Sequence, residues 1–465
     1  MKHISIIIAS VLFSFLFFEK SIGLNLLIFS IITIVVLAFY NPKKFRNSRI
    51  LLYSLAYITT AAFVFIQDSS LSIIANCVAF FTLVGGISQD KASIYINWIN
   101  GLFTTISGFF FRQVEANKNK EHIDWKKDID VIHLAKLIGI PLVFITVFVL
   151  LYKNGNPMFN ELVDKINFNF INFQWLLFTV LGYYLFSNIS KPIQIEPATS
   201  KDISTKNELF KTDSFSVEKL KKEKQLGTTL LGLLNLLIIL FIITDIATLI
   251  STEYTNASSM SALVHNGINT LIASIIIAIV IILYFFRGNI NFYSENKTLK
   301  NLTYLWIFLN VVLIALIAIK NQNYITSFGL TYKRIGVHIY IFLTFIGLIT
   351  TFLKVMKVKN MVFLFRINTV IAYSILILFS TLNWDYTITK YNLNNANSYD
   401  LEYLIGLSES NAIQLKHFSQ DTELAPYFYN KIDTKYANFL RHSENKDWLE
   451  KSLPDYTITE EEKSL

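Results

Sequence analysis

Eleven apolar runs divide this chain, at 4–18, 22–40, 50–66, 71–87, 131–151, 172–189, 226–250, 262–286, 301–319, 335–353 and 361–382. A bilayer core about 30 Å thick takes about 20 residues of helix, and inside it every backbone polar group must be satisfied within the segment. The runs therefore predict an all-α, polytopic transmembrane bundle of about eleven spans. Composition points the same way: 53% of the 465 residues are hydrophobic and 16% charged, against about 25% charged in soluble domains. The first run is short and follows Lys2, as a signal peptide would. No small-residue cleavage site follows Phe18, however, and a second run opens at Ile22, so the two are expected to form a retained hairpin. The single cysteine, Cys77, excludes an intrachain disulfide.

Two further stretches are amphipathic. From Ala92 to Arg112, the residues Ile94, Trp98, Leu102, Ile106 and Phe110 form one stripe, and Asn97, Asn100, Gly101, Thr104, Thr105 and Gly108 fill the rest of the helix. Such a helix is expected to lie in the interface. Asn156 and Pro157 read as an N-cap and first-turn proline. They open a second interfacial stretch through Phe170 on the opposite surface.

Orientation follows from the loop cations, which cytoplasmic loops retain. One side carries Lys2, the 41–49 loop, the cations from Lys91 to Lys127, eight lysines between Lys191 and Lys224, and the short basic loops after 286 and 353. The other side carries Lys20, Lys153, Lys165, Lys320, Lys333 and Arg334. The N-terminus is therefore expected in the cytoplasm, in a bacterial inner membrane. Treating 92–112 as a span would throw the 191–224 lysines to the opposite side from the 41–49 loop, so that topology is rejected.

The chain then divides into a six-span half (1–189), a basic, flexible cytoplasmic linker (190–225), a five-span half (226–382) and an extracytoplasmic tail (383–465). The tail holds eight Lys and Arg against fourteen Asp and Glu. Its apolar residues predict two or three short helices, with Ser408 and Pro426 as breaks, and the residues from Asp455 onward are expected to be disordered.

Catalytic signatures are absent from the sequence: there is no phosphate-binding glycine loop, no His-x-x-Glu-His, no Cys-x-x-Cys and no Gly-x-Ser-x-Gly. No catalytic residue, metal site, cofactor or nucleic-acid partner is expected. What remains are ionisable residues inside apolar runs, where charge is expensive. His133, Lys136 and Arg366 lie near helix ends and are expected to snorkel. Asp245 and His265 lie at similar depth on adjacent antiparallel spans and form the candidate intramembrane polar pair. Lys333 and Arg334 put two cations on the cation-poor side; with Tyr332 they are candidates for binding an anion, and Asp385 is the candidate partner of the cations.

The runs His265-Asn266-Gly267-Ile268-Asn269-Thr270-Leu271-Ile272, Tyr284-Phe285-Phe286-Arg287-Gly288, Leu330-Thr331-Tyr332-Lys333-Arg334-Ile335, Asn383-Trp384-Asp385, Tyr391-Asn392-Leu393 and Asp400-Leu401-Glu402-Tyr403-Leu404 carry a family likeness. Over 225–415 the chain resembles bacterial membrane proteins of domain of unknown function 4173, whose sister family is numbered 4153. The Phe, Ile, Asn and Lys-rich style resembles that of Bacteroidetes proteins. The resemblance implies a multi-pass inner-membrane protein and carries over no catalytic residue. The N-terminal half matches in hydropathy only.

Three functions compete. A non-catalytic sensor, scaffold or assembly factor would engage a protein partner through its acidic tail. A permease would line a path with Asn76, Asn235, Asn310 and Asn368, but no inverted repeat supports it. An enzyme or binder acting on an anionic, lipid-linked group would use Lys333 and Arg334 at the outer leaflet, with Asp245 or His265 as acid or base. The bilayer, including anionic lipid, is a partner in each.

Overall fold

The computed structural model describes residues 2–118, 173–212, 216–251 and 257–459, with isolated positions between 141 and 159; the side chains of 2, 113–118 and 251–269 are outside the description. The expected span at 131–151 and the amphipathic stretch after Asn156 fall largely outside the described residues. Among the described residues the chain is helical and has no strand. The membrane part comprises α1 (Lys2–Phe17), α2 (Leu24–Tyr40), α3 (Ser48–Gln67), α4 (Ser70–Ser88), α5 (Ile94–Lys118), α6 (Phe173–Ser190), α7 (Ala198–Ser204), α8 (Val217–Ser251), α9 (Ala257–Phe285), α10 (Lys297–Phe328), α11 (Tyr332–Met356) and α12 (Met361–Phe379). The tail adds α13 (Trp384–Asn395), α14 (Leu401–Ile405), α15 (Ala412–Asp421), α16 (Pro426–Asn445) and α17 (Leu453–Thr457).

Polar caps set where the apolar runs begin. Asn47 accepts from Arg49 N at 2.9 Å, Asn360 from Phe363 N at 3.1 Å and Asn383 from Tyr386 N at 3.1 Å, so each satisfies a helix-end donor that has no partner within the helix. Six helices among those described are long and apolar enough to cross a membrane: α3, α4, α8, α10, α11 and α12. Shorter apolar helices, α1 and α2 among them, accompany these. Leu52, Leu236, Phe308 and Leu378 are each more than 60% exposed. Large apolar side chains presented this way on long helices suit a hydrocarbon surround.

The connections collect at two ends. At the first, Asn41 donates to Ser190 O, Lys44 pairs with Asp90, Ser93 N donates to Asp202, Arg366 reaches Asp202, and Asn289 exchanges hydrogen bonds with Thr212. All of these segments are the cation-rich ones. At the second end, Lys20 pairs with Asp447, Asp68 with Lys446, and Gln67 and Ser72 both donate to Ser380 O. Here the acidic tail covers the turns between helices.

Both ends of α5 lie at the basic end. Tyr95, near its start, donates to Asp202, and Arg112, five turns on, donates to the carbonyls of Ser187, Asn188 and Lys191. Between them Asn100 and Thr104 accept from Ile195 N and Ile193 N. The face counted as polar in the sequence is thus the buried one: Asn97, Asn100 and Thr104 are fully covered. Where α5 crosses α4, Gly101 lies against Phe81 O so closely that any Cβ would collide with that backbone, the close approach that small residues permit between membrane helices. Segment 190–212, expected to be a flexible linker, is instead ordered along α5, and its Asn207 O accepts from Asn360 N. Ile193 N, Ile195 N and the Thr199 hydroxyl of this segment each find an acceptor, which composition alone does not reveal.

Two apolar cores result. Leu231, Ile275, Ile282, Leu299, Ile317 and Leu348 centre the one built by α8 to α11. The other centres on Leu37, Ile50, Tyr57, Leu83 and Phe186, and takes in Tyr373 of α12 and Leu449 of the tail. The final membrane helix therefore packs with the first half. A third cluster joins Ile335 of α11 to Ile388, Leu404, Leu415 and Ile432, seating the tail on the start of that helix.

Within the expected disordered stretch, 455–459 are described and 460–465 lie outside the described residues. Asp455 is the third residue of α17, and its carboxylate accepts from Ser452 N and Ser452 Oγ, both at 2.8 Å, in a capping box, and from Lys446 at 3.0 Å. Burial raises the carboxyl pKa, but these three donors outweigh it and hold the group below the usual carboxylate range.

Candidate functional site

The turn between α10 and α11 builds the site at the tail-covered end. Gly329 has φ of +80°, the left-handed region, and a Cβ there would lie 2.6 Å from Asn392 Oδ1. Asn392, buried in α13, accepts from Leu330 N and returns Nδ2 to Leu330 O at 2.9 Å. Glycine is needed both for the backbone conformation and for the approach of this clamp. Thr331 then caps α11.

Tyr332 and Asp385, singled out separately in the sequence, meet. The Tyr332 hydroxyl donates to Asp385 Oδ1 at 2.6 Å, Ser408 N donates to Asp385 Oδ2 at 3.1 Å, and the Tyr332 N–H donates to the Tyr403 hydroxyl at 3.0 Å. Asp385 is 8% exposed, so both oxygens are matched at a buried position, as the desolvation cost of a buried carboxylate demands. Around it lies a cavity of about 300 Å³ lined by Gln67, Asp68 and Ser70 from the α3–α4 turn, Tyr332, Asp385 and Ser408. Three parts of the chain, the two membrane halves and the tail, each supply a wall.

The two cations behave differently from one another. Arg334 turns back onto α10: its guanidinium donates to Phe328 O at 2.7 Å and to Gly329 O, and lies 3.8 Å from the Tyr324 ring centroid. It satisfies carbonyls left over at a helix C-terminus, where positive charge is also favoured by the helix dipole. Lys333 is exposed. Asp385 accepts from Tyr332 and Ser408 and is not brought to either cation within ion-pair distance. The sequence reading weighed Arg334 by its charge and missed the unpaired carbonyls of Phe328 and Gly329, which the Gly329 helix stop signals.

Asp245 of α8 pairs with Lys320 of α10, with side chains 10% and 21% exposed. The side chain of His265 lies outside the described residues. Lys320 escaped sequence reasoning because that reasoning matched depths only on consecutive antiparallel helices; α8 and α10 run parallel. Lys354, counted in the sequence as a loop cation, is 1% exposed and donates to Phe286 O at 2.7 Å. No group of three or more His, Cys, Asp or Glu suited to a metal occurs among the described residues.

No curated protein and no solved structure matches this chain. A family model described as Domain of unknown function (DUF4153) matches residues 4–417. The match reaches through the N-terminal half, beyond the 225–415 stretch that carried the resemblance in sequence, and takes in Tyr332, Asp385 and Ser408. The chain belongs to the DUF4153 family.

Proposed function

We propose that this protein is a non-catalytic membrane sensor or scaffold whose outer module is coupled to both membrane halves at the Asp385 cavity. The carrying observation is the double hold on Asp385, by Tyr332 of α11 and Ser408 N of the tail, in a cavity also walled by the α3–α4 turn. A carboxylate with both oxygens held by protein donors favours a role as a joint. A small polar molecule entering the cavity would touch all three parts at once, which is what a sensor requires.

In this reading the protein is a bacterial inner-membrane protein of about eleven spans, close in type to domain of unknown function 4173. The basic end faces the cytoplasm and the tail faces out, as the retention of cations in cytoplasmic loops favours. Tyr427, Trp448 and Tyr456 are each at least half exposed on the tail and offer aromatic anchors for a protein partner.

Hydrogen exchange on the full chain in lipid nanodiscs tests the coupling. With Asp385→Asn, exchange should rise both in 383–411 and in the 67–72 turn. A rise confined to the tail would make the tail an independent appendage and remove the sensor reading.

A second reading, binding of an anionic lipid-linked group at the outer leaflet, has in its favour exposed Lys333, which follows the cavity residue Tyr332 in the chain. Arg334, with its guanidinium held by carbonyls, contributes position to that site more than charge.

A further inference from the structure

A cavity of about 850 Å³ lies at the other end of the molecule, between the starts of α3 and α12 and floored by the α4–α5 connection. Three cations line it, Arg49, Lys91 and Arg366, and so do the apolar side chains Leu52, Ile203 and Val370.

The acidic groups nearby are already engaged. Asp90 accepts from Lys44 at 3.2 Å and Asn47 at 2.5 Å. Asp202 accepts from Ser93 N at 2.8 Å, from the Tyr95 hydroxyl at 2.7 Å and from Arg366 at 3.3 Å. Burial opposes ionisation of both, yet these donors hold both carboxyls below the usual range, so they stay charged and matched. Arg366 is anchored by Asp202 and by Asn207 Oδ1 at 2.6 Å. Arg49 gives one N–H to Asp90 O at 3.1 Å, which leaves the rest of its guanidinium fork. Lys91 is exposed and has no ion-pair partner within 4.0 Å among the described residues. The cavity therefore carries positive charge that its own carboxylates do not cancel.

Its second property is shape. Leu52 is 62% exposed and Val370 46% exposed, on the outward faces of two membrane helices. Each stands one turn further along its helix than the cation beside it, Arg49 or Arg366. The wall thus changes from cationic to apolar along the helix axes, toward the membrane interior. A free phosphate would use the polar half alone, whereas an amphiphile uses both.

We infer that this cavity binds the phosphate headgroup of an anionic glycerophospholipid, with Arg49 and Lys91 on the phosphate and an acyl chain along Leu52 and Val370. Basic pockets between membrane helices hold such headgroups by combining surface potential with direct contacts. Arg49 supplies the forked, bidentate component and Lys91 a mobile point charge. The site is remote from the Asp385 cavity and does not depend on the function proposed for it.

The full chain in neutral detergent would be titrated with short-chain phosphatidylglycerol, short-chain phosphatidylcholine and inorganic phosphate, reading bound lipid by native mass spectrometry and Tm by thermal unfolding. Phosphatidylglycerol should be retained and raise Tm, and the other two should not. Arg49→Gln with Lys91→Gln should weaken retention by about tenfold, while Lys297→Gln with Lys300→Gln, which removes the same charge from the same end away from the cavity, should leave it within about twofold. Lys91→Gln alone, at an exposed position, should show a partial loss and guards against misfolding of the double variant. Equal retention by the cavity and control variants would overturn the site. A Tm rise with inorganic phosphate matching that with lipid would overturn the lipid and leave an ion site.

Discussion

The Tyr332 hydroxyl lies 2.6 Å from Asp385 Oδ1, joining the first residue of a membrane helix to the second residue of the tail's first helix. Tyr332→Phe removes one donor and should cost about 1–2 kcal/mol, whereas Asp385→Ala also strands Ser408 N and should cost about 2–3 kcal/mol. The double variant should cost less than the sum, because contacting residues couple. Thermal unfolding in detergent of the four proteins measures the cycle, and strict additivity would show that the hydrogen bond contributes nothing.

Asp245 and Lys320 form a mostly covered ion pair between α8 and α10. Removing one partner leaves a charge without its counter-ion, so Asp245→Asn or Lys320→Met alone should destabilise by about 3 kcal/mol. Replacing both together with Asn and Met should recover much of that loss. A parallel cycle of Asp245 with His265 reads whether the imidazole shares the carboxylate; additivity within about 0.5 kcal/mol would exclude it.

The two ends of the bundle should face opposite compartments. In a Cys77→Ser background, Ser398→Cys should react with an impermeant thiol reagent added to intact cells, and Ser204→Cys should react only after lysis. Both positions are exposed. Labelling of Ser204→Cys alone in intact cells would invert the orientation.

The capping box at Asp455 makes the end of the tail acid-sensitive. Its carboxyl lies below its ordinary value of 3.8 in the folded chain, so it contributes stability above that value that is lost as pH falls through the folded pKa. Lys446 moves the other way: burial lowers its pKa, and Asp455 and Asp68 more than reverse this, so its contribution is present at neutral pH and lost only in strong alkali. Trp448 fluorescence should therefore be flat from pH 6 to 9, in about the range where both groups are charged, and change on acidification below about pH 4. Asp455→Asn should abolish the acid transition, and an unchanged transition would assign it elsewhere.

The periodic and apolar features of this chain could be read in advance because each depends on one segment at a time. Helix positions followed from run length, and the amphipathic character of 92–112 from the placing of Trp98 against Asn97 and Asn100. Depth could also be read: Asp385 was placed level with Tyr332 and Arg334 by counting from span ends. Which of two neighbours at that depth makes the contact was beyond counting, since it depends on Arg334 being drawn back to Phe328 O and Gly329 O. Lys320 shows a related limit, because it reaches Asp245 from the next helix but one. At Asp455 the signal was present, Ser452 three residues ahead with Pro454 in the first turn, but acidic composition near the terminus outweighed the local motif.

Asn25 N donates to Leu449 O at 2.9 Å and Leu24 N to Lys451 O at 3.1 Å, so the turn of the first helix pair is clasped by backbone synthesised more than 400 residues later. Until then the amides at that turn have water or headgroups as partners, and the core that includes Leu449 is one side chain short. Completion of the first hairpin thus waits on synthesis of the segment from Leu449 to Lys451. A chain released before Leu449 would display an open α1–α2 turn to proteases on that side of the membrane, and a bulky fusion placed between Trp448 and Lys451 would mimic such a fragment even with every membrane helix in place.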